Sequence, residues 1–425
     1  MGRGALIMVL GATFSLLIYS GDSYNFANMS YQNYQAYFDS TTAHNIAVSG
    51  ANVGANEVFE NPTWNAGYSN IPFDSGSYTV TVRKFPTDTV NIEIISTGTY
   101  GSQTDSVLVV LSPSNFAKYG VYLANMSGVE WYTGDSVFGP MHVNGTMNVG
   151  GTPVFEGKVT TLSGTSPATL PSGSTKPVFA GGYQSGVNVP LPLTFAGVET
   201  AAVHNGKVFV APSSPSGQYT VSFYFLAGGT VNYTAYKGTT LEASGTGVAL
   251  TTLAPDSAIW VENGELVVEG VFHGRLTIAC TGSGGTNGDV YFDSCLTYAS
   301  DPRTNPNSTD ELGITVDNNA IVPLPPNYPT QTTPAPLHDW LLECALMTRT
   351  GSFSANLVSQ MGILGYVTFV GSLDSYDIGA FSVSNGSNQI EYGYSNRFQF
   401  DTRFYDSSPP YYPNTGAFEL LSWRE

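Results

Sequence analysis

Charge is what this chain has least of. Asp, Glu, Lys and Arg make up 11% of its 425 residues, against roughly a quarter in an average globular protein. Only 14 residues are basic against 32 acidic, for a net charge of −18. A nucleic-acid binder needs a basic face that releases counterions. These scattered cations offer none, which sets nucleic acid aside as a partner. Anionic membrane surfaces are poor partners for the body for the same reason.

Cysteine is almost missing too. Cys280, Cys295 and Cys344 form no C-x-x-C pair, so zinc and thioredoxin-type sites have no basis. Cys280 and Cys295 flank a Gly-rich loop, TGSGGTNGDVYFDS. They are a candidate disulfide in an oxidising compartment, with buried free thiols as the alternative.

Catalytic signatures are absent as well. His44, His142, His204, His273 and His338 stand isolated, with no H-E-x-x-H and no H-x-H. There is no G-x-S-x-G elbow, no P-loop and no dinucleotide glycine pattern. The expectation is a protein that is not an enzyme. The alternative that keeps an activity is a polysaccharide-active solenoid. A lyase of that shape needs a proton-abstracting base with cations, and a hydrolase needs clustered carboxylates. The candidates are Asp289, Asp293, Asp301, Asp310 and Glu311, with Arg275 and Arg303 nearby in sequence. The same stretch, with Asn305, Asn307 and Asn318, is a candidate calcium site; no other cofactor is expected. A solvated acidic loop is the plainer reading, and an acidic protein is a poor electrostatic match for an acidic polymer.

What the chain does have is an apolar beginning. Ala5–Tyr19 (ALIMVLGATFSLLIY) is uncharged, with Arg3 ahead of it. Such a run fits a secretory signal, a short anchor or an assembly helix. Tyr19-Ser20-Gly21 is a poor cleavage site, which favours retention. No proline occurs before Pro62, so the spacing predicts one helix over 1–61, roughly 85 Å long at about 1.5 Å per residue. The alternative is two helices broken near Gly21. Ala43, Ile46, Ala47, Gly50, Ala51, Gly54 and Val58 recur at spacings of three and four, a small-residue stripe suited to close packing.

After Pro62 the pattern turns to β-structure. SYTVTVRK (77–84), TVNIEIIS (89–96) and DSVLVVLS (105–112) read as an antiparallel meander, separated by Pro86 and by Gly98–Gly101. From about Phe138, strands of three to five residues end in Asn-Gly, Gly-Gly or Glu-Gly corners, as in AIWVENGELVVEGVFHGRLTIAC (258–280). That grammar reads as a parallel solenoid, with a β-sandwich as the alternative. Pro323–Pro336 reads as extended, and Leu337–Thr348 as a short helix or a buried coil.

Gly4-Ala5-Leu6-Ile7-Met8-Val9-Leu10, followed by a polar helix ending Ala43-His44-Asn45-Ile46-Ala47-Val48-Ser49-Gly50-Ala51-Asn52, resembles the N-terminus of type IV pilin-like proteins of the large minor-pilin type. One departure is plain: no acid precedes Asp22, where major pilins carry a glutamate early in the apolar helix. The resemblance implies a structural subunit of an extracellular pilus-like filament. Ala5, Leu6, Ile7, Val9, Leu10, Phe14, Leu16, Leu17 and Ile18 would form the assembly helix. The implied partners are copies of the chain, inner-membrane assembly machinery and surface glycans. The implied location is the cell surface, after a membrane-inserted stage. A membrane-anchored minor pilin or adhesin is the nearby alternative.

The expected fold is α+β and mostly β. It comprises an assembly helix (1–61), a pilin-like antiparallel head (62–135) and a solenoid-like body (136–205 and 254–385). An inserted sheet (206–253) and a closing segment (386–425) complete it.

Overall fold

Helix α1 runs unbroken from Arg3 to Glu60. It contains no helix-breaking proline and ends where one follows: Asn61, ahead of Pro62, is already extended at φ −137° and ψ 96°. Gly21 does not break it. The computed structural model describes residues 2–84, 91–170, 173, 176–324, 338–384 and 390–425. The Pro86 corner and most of the Pro323–Pro336 segment lie outside these residues. The chain forms two units, Met1–Ser114 with Gly416–Glu425, and Asn115–Thr415.

In the first unit, β1 (Tyr68–Phe73), β2 (Gly76–Lys84), β3 (Ile92–Tyr100) and β4 (Gln103–Asn115) form the expected antiparallel meander. The C-terminal strand Asn414–Arg424 joins it beside β4. One face of this sheet, with Tyr78, Val80, Ile92, Ile94, Val107, Val109 and Leu111, is buried beneath the small-residue stripe of α1. Alternation on β3 puts Ile92 and Ile94 inward and Glu93 and Ile95 outward, as the period of two requires.

The second unit is built from parallel ladders wound coil upon coil. The chain enters in the middle of the stack at β5 (Val121–Leu123). It winds outward through β6 (Ser136–Phe138), β7 (Met141–Val143), β8 (Met147–Asn148), β9 (Val154–Phe155), β10 (Val159–Thr161), β11 (Thr165–Ser166), β12 (Val178–Phe179) and β13 (Tyr183–Ser185). Residues 187–206 then return along the outside and include α2 (Ala196–Asn205). Winding restarts at the far end with β14 (Lys207–Val210) and β15 (Tyr219–Leu226). The antiparallel hairpin β16 (Thr230–Lys237) and β17 (Thr240–Ala249) extends β15.

After the single turn α3 (Leu250–Leu253) the coils resume. They are β18 (Ala258–Glu262), β19 (Glu265–Phe272), β20 (Arg275–Thr281), β21 (Val290–Tyr298), β22 (Glu311–Val316), β23 (Ala320–Val322), β24 (Trp340–Ala355), β25 (Ile363–Ile378), β26 (Ser382–Ser384) and β27 (Ile390–Phe400). The stack closes when β25 pairs in parallel with β5. Two stretches of chain far apart in sequence thus make one stack.

Its interior is a set of stacked columns. Ile259, Ile278, Ile314, Leu346, Leu373, Val121, Met141, Val159 and Tyr183 follow one another from coil to coil, across the β25–β5 seam. A second column holds Val221, Leu266, Val290, Ala320 and Phe353. Each fully buried Val, Leu, Ile or Phe contributes about 1.5–3 kcal/mol.

Three expectations change, and one left open is decided. The head ends at Ser114, not 135, and the last ten residues belong to it instead of closing the body. Residues 187–206 are a return strap instead of a coil, because Val198, Ala201 and Ala202 of α2 cover the outward residues Ala258, Trp260 and Ala279. The stretch 206–253 is no separate sheet: β14 and β15 pair in parallel with β18 and β19, and only β16–β17 is added. Of the two readings of 337–348, a short helix or a buried coil, the coil holds: from Trp340 it is strand, paired along its length with β25. There both sides of the strand are covered, so its residues are apolar in succession and hide the period of two.

Candidate assembly surface

The surface that needs explaining is the first half of α1. Every residue from Gly2 to Phe38 is exposed. Leu6, Ile7, Val9, Leu10, Phe14, Leu16, Leu17 and Ile18 keep between 52% and 69% of their surface in the open, and Ala5 is exposed beside them. An 18-residue window of this helix reaches a mean hydropathy of 1.8 with none of it buried. Covering these eight large side chains would be worth on the order of 10 kcal/mol. The segment is also prepared for a dry environment. Thr13 Oγ1 donates to Val9 O at 2.9 Å and Leu10 O at 3.0 Å, and Ser20 Oγ donates to Leu17 O at 3.5 Å. These hydroxyls bring their own acceptors, as a helix in lipid or in a bundle requires.

The helix is not uniform around its axis. At 3.6 residues per turn, Gly4, Met8, Gly11 and Ser15 share one side, and Leu6, Leu10, Thr13 and Leu17 share the opposite one. Gly11 and Gly21 have nothing within 4 Å of where a Cβ would sit. The open space at these two glycines leaves room for close approach by a neighbouring helix.

The second half of α1 is fixed to its own sheet. Gly50 and Gly54 lie against Tyr78, Ser96, Val80 and Ile94, with no room for a side chain. On the sheet, a Cβ at Gly98 would come within 2.3 Å of Ala43 O, so the backbones meet directly there. Polar staples flank this contact. His44 Nδ1 lies 3.0 Å from Asp105 Oδ2, and its Nε2 lies 3.7 Å from Glu425. Tyr68 Oη donates to Glu57 Oε1 at 2.6 Å, and Phe38 meets Tyr100 edge-on at 6.1 Å.

The other candidate residues fall elsewhere. Cys280 and Cys295 are not bonded to each other; all three cysteines are free. Cys280 takes its place in an inward column between Val261 and Val316. Cys295 lies on β21 and accepts from Leu341 N at 3.4 Å. Burial pushes the Cys280 and Cys344 thiols far up, which keeps them protonated and unreactive.

The acidic candidates are engaged in structural bonds. Arg303 grips Asp301 through Nε and Nη2 at 2.8–3.2 Å, and this guanidinium holds the Asp301 carboxyl below its usual range. Arg275 pairs with Glu311 at 2.8 Å. Asp310 accepts from Gly274 N and Ser300 N and lies 2.8 Å from His273. Asp289 accepts from both nitrogens of Asn319. Asp293 lies apart from these, beside Glu269, whose carboxyl is pushed up by burial and then by the Asp293 charge. Asn305 donates to Ser300 and Asn318 to Asn287 O, and Asn307 N donates to Asn305 Oδ1. Among the described residues, no group of three or more His, Cys, Asp and Glu side chains is placed to hold a metal ion.

Two buried arrangements escaped the sequence reading. Asp401 and Arg403 repeat the Asp-x-Arg clamp of Asp301 and Arg303, with Arg403 Nη1 also donating to Ser308 O at 2.6 Å. The shared spacing was a signal that could have found them. Asp374 was not legible. It lies fully buried on the outward column between Met347 and Tyr122, accepting from Tyr412 Oη at 2.8 Å and Ser372 Oγ at 2.9 Å. Burial pushes its carboxyl well above the usual range.

No family model matches the chain, and no curated protein matches it. Among solved structures, the competence-associated pilin ComZ from Thermus thermophilus is similar at 12% identity and a TM-score of 0.38, covering 91% of this chain and 97% of its own. At that distance the functional reading rests on the residues described above.

Proposed function

We propose that this chain is a structural subunit of an extracellular pilus-like filament, assembled by packing the apolar start of α1 against the same segment of neighbouring copies. One observation carries the reading. The same helix packs one face tightly over Ala43–Val58 and is left bare over Gly2–Phe38, although the bare part holds the uncharged run Ala5–Tyr19. Exposed apolar surface of that size has a partner. A second copy supplies the same apolar helix. Contacts of this kind, repeated with an axial step, do not close and so grow as a filament.

Before assembly the segment has a place in a membrane. Ala5–Gly21 carries no charge, and about 17 residues of helix cover roughly 26 Å at 1.5 Å each, close to the ~30 Å of a bilayer core. Inner-membrane machinery would extract it from there, and the β-rich body would face the outside. Catalysis has no part in this reading. The membrane-anchored minor pilin or adhesin is the second reading, favoured by the same uncharged run: it uses the lipid stage without the polymer.

Removing residues 1–20 tests both. The truncated protein should remain a soluble monomer, and the full chain should form filaments visible by electron microscopy once detergent is withdrawn. A full-length chain that stays monodisperse in plain buffer would refute assembly and anchoring together.

A further inference from the structure

Six Asn-x-Ser/Thr triplets occur in the chain, at Asn28, Asn125, Asn144, Asn232, Asn307 and Asn385, the last outside the described residues. Such a triplet is the acceptor signature for an N-linked oligosaccharide in a protein that faces the outside. The structure sorts them. A glycan needs an asparagine with a free side-chain amide, on a surface turn, with open space around it. Asn125 is half-buried and its Nδ2 donates to Asp377 at 3.2 Å. Asn144 is half-buried and its Oδ1 accepts from Val189 N at 2.9 Å. Asn232 lies within β16, between β15 and β17, and its Oδ1 accepts from Gly247 N at 2.8 Å. Asn28 is exposed but fixed in α1, on the bare stretch that meets other copies.

Asn307 differs from all of these. It takes the third place of a tight turn in which Ser308 N donates to Asn305 O at 3.0 Å, with Pro306 in the second place. Its backbone N donates to Asn305 Oδ1 at 3.2 Å. Its side chain is exposed and makes no hydrogen bond among the described residues. Thr309, which completes the triplet, is exposed as well. Ser308 between them is buried, and its carbonyl accepts from Arg403 Nη1 at 2.6 Å. The base of the turn is anchored while its tip stands clear.

We propose that Asn307 carries an N-linked oligosaccharide. The transfer joins Asn307 Nδ2 to the anomeric carbon of a sugar delivered on a polyisoprenyl diphosphate. The carbon–oxygen bond to the diphosphate breaks, the diphosphate leaves with the bonding electrons, and Nδ2 gives up one proton. The proposal rests on the outward placement of the β-rich body. A glycan is bulky and solubilising, so it brings hydration to a chain of which only 11% is charged.

The test is peptide mapping by mass spectrometry of the full chain recovered from the cells that make it. The peptide holding Asn307 should carry the mass of at least one sugar residue, and fragmentation should place that mass on Asn307. Asn307→Gln should lose it. Thr309→Ala should lose it too, because it keeps the asparagine and removes the hydroxyl of the triplet, whereas Thr309→Ser should keep it. Both positions are exposed, so the variants should fold as the parent does. An unmodified Asn307, or a modification that survives Thr309→Ala, would overturn the proposal. Labelling the same intact cells with a membrane-impermeant amine reagent separates the two readings. A chain that is labelled yet bare at Asn307 sinks the glycan alone; a chain that is neither labelled nor modified sinks the outward placement with it.

Discussion

Replacing Gly98 with alanine should unseat α1 from its sheet. The added Cβ would lie 2.3 Å from Ala43 O, 2.4 Å from Ala47 N and 3.0 Å from Ala47 Cα. These are backbone atoms of a hydrogen-bonded helix, so no rotamer change relieves them. Ordinary contact needs about 3.4 Å or more, so helix and sheet must separate by roughly 1 Å, and a gap of that size forfeits a quarter to a half of each dispersion contact. Overpacking usually costs about 1–3 kcal/mol, and the top of that range applies where only backbone can yield. At about 1.4 kcal/mol per decade, a loss of about 3 kcal/mol is roughly a hundredfold faster exchange. Amide hydrogen exchange over Ala43–Val58 reads this directly, in the full chain in detergent. Two controls bracket the result. At Gly50→Ala the clash is with side-chain atoms, Ser96 Oγ at 2.4 Å and Tyr78 at 2.9 Å, and a helix-propensity gain of about 1 kcal/mol offsets it. Gly21→Ala meets nothing within 4 Å and should leave exchange over 43–58 unchanged. Wild-type protection in Gly98→Ala would refute the close backbone approach as the seat of the helix.

Three further outcomes are expected. Asp374 has a folded pKa raised by burial, so its contribution is complete below the ordinary aspartate range and falls as the pH rises above it, by up to about 1.4 kcal/mol per unit; Asp374→Asn should therefore melt higher than the parent at pH 8 but not at pH 4, and an equal difference at both pH values would sink this. Arg403→Met should cost about 3–5 kcal/mol in denaturant unfolding because it strands the buried Asp401; a cost below about 1 kcal/mol would contradict that. Iodoacetamide on the native chain should modify Cys295 first, since Cys280 and Cys344 are buried with thiols pushed up by that burial; mass spectrometry showing Cys280 modified first would refute it.

Much of the first unit was legible because its signals are local. The absence of proline to Pro62, the three-and-four spacing of Ala43–Val58 and the period of two in 77–112 each report on neighbours a few residues away. The choice between a disulfide and free thiols at Cys280 and Cys295 stayed open in the sequence: they flank a loop, yet Cys280 faces inward on one strand while Cys295 accepts a hydrogen bond from β24 on another. The role of 187–206 was not legible. That stretch reads as part of the coiled body because the surface it covers, from Tyr122 to Trp260, is gathered from coils far apart in the chain. The Asp301 clamp could have been read from its two-residue spacing, but Glu343, which lies 3.3 Å from Arg303, comes from a strand about forty residues on.

The sequence by itself determined that a helix with an apolar start leads into a charge-poor, turn-rich β body, because hydropathy and turn chemistry act over a few residues. Only the tertiary structure decided that this helix is buried over Ala43–Val58 and bare over Gly2–Phe38, because a small-residue stripe does not say which sheet will cover it. The order of the coils was likewise settled in three dimensions. A parallel ladder pairs strands by direction and register, and it accepts β5 beside β25 as readily as strands adjacent in the chain. The seam exists only after that pairing has formed.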